Sequence, residues 1–141
     1  MYALLRLFLS QNSMLIEAAA DELCNLRPNV IRGNLLFMLR EPTNERNREM
    51  KKAAARVLGN LEIGNGRFRQ SALRQLLKCL LNEDIELRQR AARAISTLQP
   101  DGTLLWDNIR AVWQTVELGV KSRAFHSLSF EIPYFRGFAQ G

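Results

Sequence analysis

Basic side chains recur at two fixed positions along this chain. Arg88 follows Lys51 by 37 residues, and Arg93 follows Arg56 by the same interval. Ammonium and guanidinium groups bind carboxylates and phosphates, and a guanidinium can hold either through two parallel hydrogen bonds. The chain has 20 lysine and arginine residues against 14 aspartate and glutamate residues, a formal net charge of +6 at pH 7. This pattern predicts an anionic partner, either an acidic protein segment or a nucleic acid.

The residues that commonly carry out catalysis are few and isolated. The one histidine, His126, has no paired cysteine or carboxylate that would orient it. The two cysteines, Cys24 and Cys79, do not have the spacing of a metal site. Cys79 falls on an apolar helical face, where we expect a buried, reduced thiol. We therefore predict no enzymatic activity, no metal site and no cofactor.

Composition places the chain among ordinary globular domains. Hydrophobic residues make up 47% of its 141 residues and charged residues 24%, which suits a single domain with a substantial core. The apolar opening segment MYALLRLFLS is interrupted by Arg6 and aligns with residues 73–82, so we interpret it as a helix and not as a signal peptide. No apolar run approaches the roughly 18 residues needed to span a bilayer. We expect a cytoplasmic protein without a membrane interaction.

Residues 84–98, DIELRQRAARAISTL, have the apolar spacing of an amphipathic helix. Five apolar positions recur at intervals of three and four residues, which places them on one face of the helix. The residues on this face are Leu87, Ala91, Ala94, Ile95 and Leu98. Alanine at such positions lets a neighbouring helix approach closely. Asp84 supplies an oxygen acceptor for the free N–H groups at the helix start, so we predict a core helix that begins directly after it.

The same pattern occurs three times in the chain. Residues 18–26 (AAADELCNL), 53–61 (AAARVLGNL) and 90–98 (RAARAISTL) align at successive offsets of 35 and 37 residues. The first and third copies align without a gap over 4–26 and 76–98, so both helices of each copy and the turn between them stay in register. Self-similarity at a period between 20 and 50 residues is typical of solenoids.

The order of residue types in these copies resembles the second helix of a HEAT repeat. The third copy has an acidic residue, an aliphatic–Arg pair, two small residues and two spaced aliphatic residues: Asp84, Leu87-Arg88, Ala91-Ala92, Ile95 and Leu98. The second copy has Asn47, Met50-Lys51, Ala54-Ala55, Leu58 and Leu61. The first copy departs from the pattern at Ile16, where the family has arginine. Armadillo and phycobilisome-lyase-like repeats have similar patterns.

The resemblance implies an all-α fold, an α-solenoid of three clear HEAT-like helix pairs and a degenerate fourth. We expect one solenoid domain over residues 1–130 and an irregular, aromatic tail over 131–141. In each pair a helix A precedes a helix B, and B helices are predicted at 13–26, about 46–61 and 85–98. The connection at 41–47 is longer than its counterparts, so it could reach a ligand at an edge of the stack.

In such a stack the B helices lie side by side, and equal repeat positions form lines along one face. The candidate partner-binding residues on this face are Lys51, Lys52, Arg56, Arg88, Gln89 and Arg93. For Lys51 and Arg88 the resemblance also implies a structural alternative, a ladder of pairs with Asp84 or Asn47 between repeats. Arg56 and Arg93 have no such role, so we expect them to be free to bind a partner.

Two classes of function fit these residues. The first is an adaptor that binds a peptide or protein segment, acidic in character, on the B-helix face. The second is a nucleic-acid-binding protein that uses the same basic face, with or without base stacking on Trp106 and Trp113. The B helices intersperse their basic residues with small and aliphatic residues, not with aromatic ones, which favours the adaptor. An accessory subunit of an enzyme, as among phycobilisome-lyase-like proteins, is a third alternative. The oligomeric state stays open.

Overall fold

The computed structural model describes residues 2–61 and 66–132, and these residues are helical without a β-strand among them. The α-helices are α1 (Tyr2–Arg6), α2 (Ser13–Leu26), α3 (Arg32–Arg40), α4 (Arg48–Leu58), α5 (Arg67–Cys79), α6 (Ile85–Leu98), α7 (Gly102–Trp113) and α8 (Leu118–Glu131). Short 3-10 turns at Leu7–Leu9 and Asn29–Ile31 continue α1 and precede α3. The predicted all-α class is confirmed. Within the described part of the chain, no helix combines the length and the apolar character needed to cross a membrane.

The helix boundaries agree closely with the sequence prediction for two of the three B helices. Helices α2 and α6 begin and end at the predicted residues, whereas α4 is shorter than the predicted 46–61. Helix α4 starts later because the side chain of Asn47 belongs to the preceding turn, where it bonds to the backbone of Pro42 and Asn44. At the end of the chain, α8 reaches Glu131. The aromatic tail at 133–141 and residues 62–65 lie outside the described residues.

Polar side chains fix the starts of several helices. The side chain of Asp84 accepts hydrogen bonds from the backbone N–H groups of Glu86 and Leu87, at 2.9 and 3.1 Å. Asn12 caps α2 and Asp101 caps α7 in the same way. A side-chain acceptor at this position satisfies N–H groups that the first helical turn leaves without partners. The predicted N-cap at Asp84 is confirmed.

The helices make contacts in a regular order. The even-numbered helices touch in succession, α2 with α4, α4 with α6 and α6 with α8, and among the odd-numbered helices α3 touches α5 and α5 touches α7. Helices α1 and α2, α3 and α4, and α5 and α6 also pack in pairs. Helices α4 and α6 therefore each have neighbours on several sides, and their apolar stripes lie in the middle of the core.

Small residues allow the central helices to approach closely. The predicted core stripe of α6 is buried from Leu87 to Leu98, and the three consecutive alanines that begin at Ala53 of α4 are fully buried. A Cβ atom placed on Gly59 would lie 3.1 Å from both Cα and Cβ of Ala94, so the end of α4 rests directly against α6. The prediction that the alanines of α6 let a neighbouring helix approach closely is confirmed at Ala94.

The first copy is less buried than the third, although the two align without a gap. Leu15 is 43% exposed whereas Leu87, its counterpart, is fully buried, and Leu26 is 58% exposed whereas Leu98 is buried. Helix α2 has α4 on one side and, among the described residues, no even-numbered helix on the other side. Two helices with the same sequence pattern therefore differ in burial, because α6 has an even-numbered neighbour on both sides and α2 has one on a single side.

Candidate anion-binding surface

Three of the six predicted partner-binding residues are buried. Lys51, Lys52 and Arg88 have relative accessible areas of only 5%, 6% and 7%. Lys51 Nζ donates a hydrogen bond to Thr43 Oγ1 at 2.8 Å. The guanidinium of Arg88 donates to two backbone carbonyl groups of the preceding loop, at 2.9 and 2.8 Å. Contrary to the expectation, these side chains do not contribute to an exposed basic face.

Lys52 is the centre of an ion-pair cluster between α4 and the start of α6. Its Nζ lies 3.1 Å from Asp84 Oδ2, 3.0 Å from Glu86 Oε2 and 3.1 Å from Glu49 Oε1. Burial alone would raise the pKa of Asp84, but backbone N–H groups and the Lys52 ammonium outweigh it and hold this pKa below its ordinary value. The repeat-to-repeat pairing of Asp84 thus involves Lys52, not Arg88 or Lys51 as the HEAT resemblance implied.

Arg56 is also paired, which corrects the expectation that it has no structural role. Its Nη1 lies 3.0 Å from Glu17 Oε2 and its Nη2 lies 2.5 Å from Asp21 Oδ1, so it connects α4 to α2. The hydrogen bond to Asp21 is the main reason that the pKa of Arg56 is raised. An external anion would have to compete with two carboxylates for this guanidinium.

Gln89 and Arg93 are the two predicted residues that are well exposed. The side chain of Arg93 is 73% exposed, and its Nε lies 3.8 Å from Glu131 Oε1. Together with Arg56 and Arg90, Arg93 lines a cavity of about 400 Å³ between α4 and α6. Since Arg56 and Arg90 both pair with carboxylates, most of the positive charge on this side of the protein is compensated internally.

The excess positive charge lies on the odd-numbered helices. Within their bounds these four helices contain eight basic residues and one acidic residue, Asp107, so they carry 8 − 1 = +7 charges. The eight are Arg6, Arg32, Arg40, Arg67, Arg69, Arg74, Lys78 and Arg110. The four even-numbered helices contain nine basic and six acidic residues, a balance of 9 − 6 = +3. The odd-numbered helices alone therefore exceed the net charge of the whole chain.

Three of these residues, Arg40, Arg74 and Lys78, lie close together and form what we call the α3–α5 cationic surface. Arg74 and Lys78 are four residues apart on α5 and therefore share a face of the helix, and Arg40 is the last residue of α3. Arg40 and Lys78 line a cavity of about 580 Å³ that also contains Lys51, and we call it the Lys51 cavity. All three surface residues line a second cavity of about 410 Å³.

The charges of the α3–α5 cationic surface have no carboxylate partner within the described part of the chain. Arg74 Nε donates to the side-chain oxygen of Asn108 at 2.9 Å, and Arg40 and Lys78 make no hydrogen bond or ion pair with a described residue. The signal for this surface is present in the sequence, since residues 32–40 and 67–79 contain no acidic residue. The repeat alignment does not point to it, because Arg40 and Lys78 are not related by the 37-residue interval.

An apolar groove lies beside this surface. It has a volume of about 740 Å³, and its apolar lining is Phe8, Leu9, Phe37, Met38 and Met50. Glu41 borders both this groove and the Lys51 cavity. The 41–47 connection, predicted to reach an edge, thus lies between the two cavities, and its own Asn44 side chain holds the turn through bonds to backbone N–H groups.

The remaining candidates for chemistry are separated or packed in the core. The described residues contain no group of three or more histidine, cysteine, aspartate or glutamate side chains that could hold a metal ion. His126 is exposed and Cys79 is buried. Trp113 is buried, and its Nε1 donates to the backbone carbonyl of Leu77 at 3.0 Å. Trp106 and Trp113 both pack against the ring of Phe125, and Trp106 is partly buried at the edge of the core.

Comparison of the chain with known protein families, with curated proteins and with solved structures finds no match. The resemblance to HEAT repeats accordingly rests on the internal repeats of the sequence.

Proposed function

We propose that this chain is a HEAT-like α-solenoid adaptor that binds an acidic segment of another protein through the α3–α5 cationic surface. The main support is the distribution of charge. The odd-numbered helices carry eight basic residues against one acidic residue, and the three that converge on α3 and α5 are not neutralised by a carboxylate of the described chain. A surface of this kind attracts an anionic partner and contributes contacts that weaken with salt.

The solenoid part of the proposal is supported by the order of the helix contacts. The three sequence copies coincide with α2, α4 and α6, and these helices touch in chain order. The α3–α5–α7 contacts follow the same order among the odd-numbered helices. Contacts between neighbouring units in succession are what a repeat array requires.

The proposed surface differs from the B-helix face favoured by the sequence. On the even-numbered helices, Lys52, Arg56 and Arg90 are each held by carboxylates of the same chain. A partner would have to break those pairs before it gained new ones. Arg40 and Lys78 form no such pairs with the residues that the structure describes, so a carboxylate of a partner would not have to displace one of these.

The apolar groove favours a protein segment over a nucleic acid as the ligand. Leu9 and Phe37 are 64% and 63% exposed at this groove, which lies next to the cationic surface across Glu41. A peptide that combines acidic and large apolar side chains would use both regions. A nucleic acid would use the cations and leave the apolar groove without a partner.

The test measures binding of a fluorescein-labelled peptide of alternating glutamate and leucine residues by fluorescence anisotropy, at low and high salt. The triple variant Arg40→Glu, Arg74→Glu, Lys78→Glu should weaken binding at least about tenfold, a loss of about 1.4 kcal/mol or more. The triple variant Arg6→Glu, Arg93→Glu, Arg110→Glu changes the net charge equally at exposed sites elsewhere and should retain most of the affinity.

Two results would overturn the proposal. One is equal loss of affinity in both triple variants, which would indicate attraction to net charge alone. The other is a duplex DNA oligomer that binds the wild-type protein at least about tenfold tighter than the peptide under the same salt conditions. The second result would indicate that the cationic surface binds nucleic acid.

A further inference from the structure

Lys51 is a buried cation with no ion-pair partner among the residues that the structure describes. Its relative accessible area is 5%, and the described part of the chain offers its Nζ one hydrogen-bond partner, the neutral hydroxyl of Thr43 at 2.8 Å. No carboxylate oxygen of the described residues lies within the 4.0 Å of an ion pair. Burial lowers the pKa of Lys51, and the more distant Cys79 and Glu41 offset this only in part.

The neighbouring Lys52, on the same helix, is a buried ammonium whose charge is compensated by carboxylates. Lys52 is buried to the same degree, but three carboxylates lie within 3.1 Å of its Nζ, those of Glu49, Asp84 and Glu86. A buried charge without a partner is costly. The environment of Lys51 is therefore incomplete in a way that the environment of Lys52 is not.

The space beside Lys51 is open and lined by further donors. The Lys51 cavity has a volume of about 580 Å³, and it is also lined by Arg40 and Lys78, neither of which forms an ion pair with a described residue. Thr43 and Gln75 add a hydroxyl and an amide group. Three cationic side chains from three different helices, α3, α4 and α5, thus line one cavity together with one carboxylate of the described residues, that of Glu41, so the cavity keeps an excess of positive charge that an anion would compensate.

We propose that the Lys51 cavity binds a phosphoryl group, carried by a phosphorylated side chain of the partner segment. The assignment of this group to a partner segment rests on the proposed function, whereas the anion site itself does not. A phosphate monoester carries about −1.5 to −2 charges at pH 7 and three acceptor oxygens, whereas a carboxylate carries one charge. Three cations with additional neutral donors match the dianion better than the monoanion.

The site is tested first with inorganic phosphate alone, titrated calorimetrically into the full chain. Phosphate should bind the wild-type protein, and Lys51→Met should reduce the affinity at least about tenfold. Lys121→Met, at the other end of the chain, should bind phosphate as the wild type does. Acetate should bind the wild type at least about tenfold more weakly than phosphate does. Equal affinities of phosphate for wild type and Lys51→Met, or of acetate and phosphate for the wild type, would overturn the inference.

Lys51→Met keeps an unbranched side chain and removes a buried charge, so it should not lower the melting temperature. Should this variant fail to fold, Lys78→Met replaces an exposed cation at the same cavity, and the same loss of phosphate affinity is required of it. Retained affinity in a folded Lys78→Met protein would then count against the site.

The source of the phosphoryl group is tested with two acidic peptides that differ by one phosphate on a serine. The phosphorylated peptide should bind at least about tenfold tighter to the wild type, and Lys51→Met should abolish this difference. Peptide binding without a phosphate effect would overturn the inference and leave the proposed function intact. Phosphate binding without binding of either peptide would overturn the proposed function and the peptide source, and would identify free phosphate compounds as the ligands.

Discussion

The Nη2 atom of Arg90 lies 3.0 Å from Oε1 of Glu17, although 73 residues separate the two in the sequence. The second carboxylate oxygen of Glu17 accepts a hydrogen bond from Arg56, also at 3.0 Å. One carboxylate on α2 therefore joins a residue of α4 and a residue of α6. Since α4 lies in contact with both other helices, this bond links the first and third sequence copies across the second.

This link should be measurable as stability. Glu17→Ala removes the shared acceptor of two partly buried arginines and should destabilise the fold by about 1 kcal/mol, and by less at high salt. Glu22→Ala, on the same helix and with no ion pair among the described residues, should change stability by less than about 0.5 kcal/mol. Urea unfolding at low and high salt measures both. Equal effects of the two substitutions would show that Glu17 does not act through its arginines.

Arg56 and Arg93 occupy equal repeat positions, but their substitution should have different effects. Arg56→Glu places a carboxylate beside Glu17 and Asp21 and should lower stability by about 1–2 kcal/mol, because it removes two ion pairs and adds repulsion. Arg93→Glu changes a side chain that is 73% exposed and should change stability by less than about 0.5 kcal/mol. Thermal unfolding followed by circular dichroism distinguishes them, and equal melting temperatures would contradict the structural role of Arg56.

The core stripe of α6 gives a sharper contrast between neighbouring positions. Leu87 is fully buried and Ile85, two residues earlier, is 61% exposed. Leu87→Asp buries an unpaired charge and should destabilise by more than about 4 kcal/mol, which is enough to unfold many small domains. Ile85→Asp adds an acidic residue at a helix N-terminus and should be tolerated. The helical circular dichroism signal of the two variants, compared at the same temperature, checks the assignment.

Stability should fall with rising pH through the ionisation of Cys79. Burial raises the pKa of this thiol from 9.0 to about 11, with a smaller opposing effect of Lys51. Between those values the unfolded chain releases the proton and the folded chain keeps it, so the free energy of unfolding should decrease by up to about 1.4 kcal/mol per pH unit. Well below pH 9.0 the thiol is neutral in both states and contributes no such dependence.

The comparison with Cys79→Ala isolates this effect, because the variant lacks the thiol and keeps the other titrating groups. The free energy of unfolding of the wild type minus that of the variant should be constant well below pH 9.0 and should decrease as the pH rises toward about 11. Urea unfolding at successive pH values measures it. Parallel curves over the whole range would mean that Cys79 is not protected in the folded state.

The sequence was sufficient to predict much of the fold, because helix formation and burial depend on local patterns. The stripe that includes Leu87 and Ile95 is buried as predicted, and Asp84 caps its helix. The exposure of Leu15 could not be predicted from its identity with Leu87. It depends on how many helices surround α2, and that number is a property of the assembled helices.

The candidate site was less predictable, because it depends on contacts between side chains of different helices. Lys51 and Lys52 are adjacent and chemically identical, yet three carboxylates surround one and a hydroxyl contacts the other. The sequence does not contain these distances. Arg40 and Lys78 come together because α3 packs against α5. They do not occupy equal repeat positions, so the repeat alignment does not pair them.

The Arg90–Glu17 bond also bears on how this chain could lengthen during evolution. If the second copy were duplicated between α2 and the present α4, Glu17 would face the Arg56 of the new copy. The helix after that would be the present α4, in which Ala53 occupies the repeat position of Arg90. The bond would be lost at the moment of duplication. A change beyond α8 would leave the bond untouched, so the bond opposes insertions among the three sequence copies and not changes that follow α8.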